Sequence, residues 1–101
     1  MAKYVYIYHS TNTAPPTPEM MQAWGEWLAG LGDKLTDAGS PLAGPNKGVL
    51  RGGKAEKAAD SVIGYAAVDA SSLDEAMDMA KGNPLASAEG CEVRVYEAGQ
   101  M

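Results

Sequence analysis

His9 is the one imidazole in the chain, and imidazole is the side chain whose ordinary pKa suits proton transfer near neutral pH. Arg94 carries a planar guanidinium that can hold a carboxylate or phenolate through two parallel hydrogen bonds. Tyr8, Trp24, Trp27 and Tyr65 offer aromatic walls with polar tips. Together they offer acid–base work beside a group that can hold an anion. His9 would move the proton, Arg94 would hold an anionic group, and Tyr8, Trp24 and Tyr65 would line the site. Each residue also has a plainer reading. His9 can bond the Ser10–Thr13 loop, Trp24 and Trp27 can pack in the core, and Arg94 can pair with Glu92 or an acid of a partner chain. A general base needs an orienting carboxylate; Asp33, Asp37 and Asp69 are the candidates.

Other chemistries are excluded by residue counts. One cysteine forbids an intrachain disulfide, and one Cys with one His forms no zinc-binding pattern. Cys91 stands in phase with Val93 and Val95, which reads as a small buried hydrophobe. The glycine-rich stretch 44–53 lacks phosphate-loop spacing. No metal and no cofactor is implied. The net charge of −5 opposes a nucleic-acid or anionic-membrane surface. The basic Lys47–Lys57 stretch is broken by Glu56 and reads as a solvated loop. No apolar run approaches the roughly 20 residues of a membrane span, and no signal peptide is visible, so a cytoplasmic protein is expected. A length of 101 residues suits one domain, 1–101.

The elements that must position these residues alternate in type. Lys3–Tyr8 is β-branched and aromatic and predicts a strand. Pro15 and Pro16 make a loop. Thr17 as N-cap, Pro18 at the first helical position and Glu19 open a helix. Its apolar face runs Met20, Trp24, Trp27, Leu28, Leu31, Leu35, with Gly39 as its C-cap. Gly48–Arg51 is expected as a short edge strand, residues 54–60 as a hairpin loop, and 61–69 as a central strand apolar on both faces. Ser72 and Glu75 form a capping box for a second helix that stops at Gly82, before Pro84. Residues 91–97 alternate as a last strand.

The order βαββαβ implies an α+β, ferredoxin-like fold. A four-stranded antiparallel sheet has both helices on one face and its first and third strands in the centre. Alternation suggests that Val5, Ile7, Gly64, Ala66, Val93 and Val95 face the helices. Tyr4, Tyr6, Tyr8, Ile63, Tyr65, Arg94 and Tyr96 would then crowd the open face. Such a face is too apolar to leave bare. It predicts a homodimer through that face, with room for a small-molecule pocket.

The strand Tyr4–His9, the helix with Trp24 and Trp27, and the run 31–42 (LGDKLTDAGSPL) form an ordered set. Ile63-Gly64-Tyr65, the run 69–76 (DASSLDEA), Gly82-Asn83-Pro84 and Glu92–Val95 complete it. In order and spacing this set resembles the YCII-related (YciI/DGPF) family over nearly the whole chain. The resemblance implies a dimeric α-β barrel, two ferredoxin-like subunits joined by their open sheet faces. It implies little about activity. A His–Asp pair is proposed as catalytic in some relatives, and one relative is a dehydrochlorinase of chlorinated hydroxyquinols. Here Glu19–Gln22 occupy the place of the family's first-helix histidine, and Leu85 follows Pro84 where many relatives carry another. Two functions stay open: a small dimeric binding or accessory module, or, as the resemblance implies, a YCII-type dehydrochlorinase-like enzyme or lyase using His9 as acid/base on a small aromatic or acidic substrate.

Overall fold

The computed structural model describes residues 1–12, 15–42 and 46–99. Its elements are β1 (Ala2–Ser10), α1 (Pro18–Leu31), β2 (Leu35–Asp37), β3 (Gly48–Arg51), β4 (Lys54–Lys57), β5 (Val62–Ala70), α2 (Leu73–Ala80) and β6 (Cys91–Glu97). Short 3₁₀ turns occupy Gly32–Lys34 and Pro84–Ala86. The main sheet runs β2-β5-β1-β6 and is antiparallel throughout. The long strands β1 and β5 are central, and both helices cover one face. This is the expected α+β, ferredoxin-like arrangement.

The helix starts form as their sequences dictate. Thr17 Oγ1 accepts from Met20 N at 3.1 Å, and Pro18 follows at the first position. Ser72 Oγ accepts from Glu75 N at 3.1 Å. The Glu75 carboxylate reaches back one residue further than a capping box requires, to the Ser71 hydroxyl at 2.9 Å and the Ser71 N–H. Those two bonds, with Lys34 at 3.3 Å, hold its carboxyl below the usual glutamate range.

Three expectations are corrected. First, α1 ends at Leu31, because Gly32 adopts φ 57° and turns the chain out of the helix. Leu35 thereby belongs to the edge strand β2, opposite Val68. Gly39 is no helix cap. It sits where a Cβ would lie 1.6 Å from the Tyr65 carbonyl oxygen, at φ 76°, so only glycine fits. Beyond it Pro41 bridges Gly64, and Leu42 N donates to Ile63 O at 2.9 Å. Second, Gly48–Arg51 is not the sheet's edge strand. It pairs with Lys54–Lys57 as a separate two-stranded hairpin. Gly52 and Gly53, at φ 58° and 79°, form the two-residue connection that hairpin twist favours.

Third, the phase of β1 is reversed. Tyr4, Tyr6 and Tyr8 are buried beneath the helices, and Tyr6 has no exposed surface. The register pairs Tyr6 with Ala66 and Val95, and Tyr8 with Gly64 and Val93. Those partners do face the helices, so the tyrosines join them. The reason is packing volume. Gly64, Ala66, Ala76 and Ala80 leave a wide space under the helices, and tyrosine rings fill it. Polar tips find partners there: Tyr6 Oη donates to Ala76 O at 2.6 Å, and Trp27 Nε1 to Met79 O at 2.8 Å. The open face instead carries Val5, Ile7, Tyr65, Arg94 and Tyr96, with Val5 and Ile7 half-buried.

Candidate functional site

A cleft opens at the end of the helix-covered face, where β1 and β5 leave the first turn of α1. Gly64 has no side chain, so the Tyr8 ring lies directly across from it; a Cβ there would sit 3.3 Å from Tyr8 Cδ2. Trp24, two turns into α1, meets the Tyr8 ring edge to face at 4.7 Å. Met20 and Met21 from α1, Pro15 and Pro16 before it, Ile63 from β5 and Leu85 complete apolar walls. The cavity holds about 910 Å³, within the range of small-molecule sites.

The polar side chains that line it include Ser10, Asn12, Thr17, Ser40, Lys47 and Asp60. Cys91 Sγ donates to Ser10 Oγ at 3.3 Å on one side. On the other, Lys47 Nζ is held by Asp60 Oδ1 at 2.7 Å and Val62 O at 2.6 Å. Lys47 keeps the Asp60 carboxyl below its usual range, helped by the Val62 N–H. Tyr8 lines the cleft as well. Its hydroxyl is buried and has no hydrogen-bond partner among the described residues. Burial pushes its phenol well above the ordinary tyrosine value, so it is a neutral donor.

The sequence candidates divide between the two faces. Tyr8 and Trp24 are brought together in the cleft. Tyr65 borders it where Gly39 abuts its backbone, but strand alternation sends its ring to the open face beside Ile7. Trp27 supports Trp24 from behind, ring centroids 6.1 Å apart, with its N–H committed to Met79. Arg94 lies on the open face and pairs with Glu92.

His9 follows Tyr8 and so points the other way. It lies opposite Glu92 on β6, while its neighbour Ser10 pairs with Cys91 on the cleft side. Its Nδ1 is 2.8 Å from Ser61 Oγ. No carboxylate of the described residues hydrogen-bonds it, and it does not line the cleft. Asp33, Asp37 and Asp69 make no hydrogen bond to it among the described residues, and Asp37 accepts from Gly39 N at 2.8 Å; the carboxylates within electrostatic reach of it are Asp60 and Glu92. An acid–base pair on His9 is thus not assembled beside the aromatic walls.

Sequence reasoning missed Ser10, Lys47, Asp60, Cys91 and the Met20–Met21 pair as lining groups. Cys91 and Ser10 were legible through strand phase once β1 was correctly oriented. Lys47 and Asp60 meet only through the hairpin fold. Among the described residues, no cluster of His, Cys, Asp or Glu could hold a metal ion, and no helix is long and apolar enough to cross a membrane. The family model for the YCII-related domain matches residues 1–98. No curated protein matches the chain.

Proposed function

The chain belongs to the YCII-related family, and from that premise we propose that it is a small-molecule-binding module whose ligand occupies the Tyr8–Trp24 cleft. The carrying observation is the apolar cavity that Tyr8 and Trp24 line, with the Tyr8 hydroxyl buried beside it and without a hydrogen-bond partner among the described residues. A hydroxyl left in that state costs about 1–3 kcal/mol. A ligand that offers an acceptor oxygen removes the cost, and its ring stacks among Trp24, Met20 and Ile63. The fitting chemistry is a flat, mostly apolar molecule with one accepting oxygen, such as a ring ketone or quinone. An anion is disfavoured, since Lys47 is already neutralised by Asp60.

Ligand-observed NMR with matched ring ketones, quinones and ring hydrocarbons tests the reading. The oxygenated probes should bind wild type about ten-fold more tightly than they bind Tyr8→Phe, a difference of about 1.4 kcal/mol. Hydrocarbons should bind both alike. Equal binding of oxygenated probes to the two proteins, or no binding at all, would refute it.

The same reading includes self-association through the open sheet face. Val5, Ile7 and Tyr96 support it, for they form an apolar strip with no helix over it, and Tyr96 is half exposed. Ile7→Asp places a charge in that strip without touching the core. It should convert a dimer to a monomer in sedimentation equilibrium; an unchanged dimer would move the contact elsewhere.

A further inference from the structure

The β3–β4 hairpin is an arm without a body to lean on. All of β4 is exposed, and in β3 only Val49 is partly covered. Leu50, near its tip, is 80% exposed. A lone two-stranded hairpin is at best marginally stable in water. Its root, however, is fastened: Ala58 N donates to Lys47 O at 2.9 Å, and the mostly buried Lys47 side chain clamps Asp60 and Val62. The arm widens the molecule. The radius of gyration is 14.6 Å, against about 12.7 Å for a compact chain of this length.

The charges of the arm are as unbalanced as its surface. Arg51, Lys54 and Lys57 stand against one acid, Glu56, whereas the remainder of the chain has five cations and twelve acids. Arg51 and Lys54 are direct cross-strand partners. Like charges in that position repel, and neither makes an ion pair among the described residues. Meanwhile Glu19, Asp33, Asp74 and Glu89 are exposed on the body and equally unpaired.

We propose that this basic arm embraces the acidic body of a second copy of the chain, with Leu50 as its apolar anchor. Two copies related by a twofold axis would exchange arms reciprocally, so each contact is made twice. A nucleic acid is a poorer occupant, because the net charge of −5 repels a polyanion. The inference rests on the self-association proposed above and adds to it a contact separate from the sheet face.

Sedimentation equilibrium of the full chain tests it, at about 0.05 and 0.5 M salt. Arg51→Glu is the informative variant, since it gives the hairpin a favourable Glu–Lys cross-strand pair while removing the arm's cationic tip. It should raise the dimer dissociation constant about ten-fold or more and abolish most of its salt dependence. Leu50→Ser should weaken the dimer without altering the salt dependence. If Arg51→Glu dimerises as tightly as wild type while Ile7→Asp is monomeric, the arm proposal fails and the sheet-face contact stands. Arm variants that weaken a dimer insensitive to Ile7→Asp would uphold the arm and refute the sheet face. A monomeric wild type would overturn both, and one that bound an oligonucleotide through Arg51 would give the arm a different occupant.

Discussion

The Tyr8 and Trp24 rings meet edge to face, centroids 4.7 Å apart and planes at 77°. This contact joins the central strand β1 to the first half of α1. The Tyr8 hydroxyl has no hydrogen-bond partner among the described residues. The site thus holds an unmet hydrogen-bonding capacity inside an otherwise well-filled aromatic cluster.

Tyr8→Phe should therefore not destabilise the free protein. It deletes an orphaned polar atom and keeps the ring contacts with Trp24 and Gly64. The expected change is between zero and a gain of about 1 kcal/mol, read from urea unfolding. A loss above about 1 kcal/mol would mean that the hydroxyl is already satisfied.

Tyr6→Phe should behave oppositely, although the two tyrosines are two residues apart. Tyr6 Oη donates to Ala76 O at 2.6 Å in the core. Removing it leaves a buried carbonyl short of a donor, at a cost of about 1–2 kcal/mol.

Alkaline pH should reproduce part of that loss. Burial pushes the Tyr6 phenol up to about 12, from an ordinary value of 10.0. The folded state then binds the proton more tightly than the unfolded state, so this contribution is intact below pH 10 and is lost progressively between about pH 10 and 12. Tyr8 and Tyr4 are raised as well and act in the same sense. Stability measured from pH 9 to 12 should fall with a shallower slope in Tyr6→Phe than in wild type.

Gly39→Ala should cost about 2–4 kcal/mol. The positive φ is one cause, and the approach to the Tyr65 carbonyl is the other. Because the obstacle is backbone, the edge β2 and the 38–41 wall of the cleft must shift. Hydrogen exchange should quicken at Leu42 N, which bonds Ile63 O, before the β1–β5 amides respond. Gly25→Ala, with open space around its Cβ position, should gain about 0.5–1 kcal/mol by comparison.

The alternating types along the chain were enough for the sheet's central strands, both helix starts and the ferredoxin-like order. These depend on local chemistry: a β-branched run, Thr17 and Pro18, Ser72 and Glu75. The Gly-Gly turn at 52–53 was equally local, and a hairpin across it could have been read. The end of α1 was ambiguous, since Leu31 and Leu35 keep helical spacing across the break at Gly32. The facing of β1 was not legible at all. Tyr4, Tyr6 and Tyr8 alternate with Val5 and Ile7, and both sets are apolar enough for either side. Period two says only that they part company. Which set goes inward was decided by the partners, where Gly64, Ala66, Ala76 and Ala80 leave a gap that rings fill and aliphatic side chains would not. That one choice put Tyr8 in a cleft with Trp24, turned His9 away from it, and left Val5 and Ile7 on the open face. The sequence determined the elements because each is stabilised by near neighbours along the chain; the tertiary structure decided the site because volume is shared among residues far apart in it.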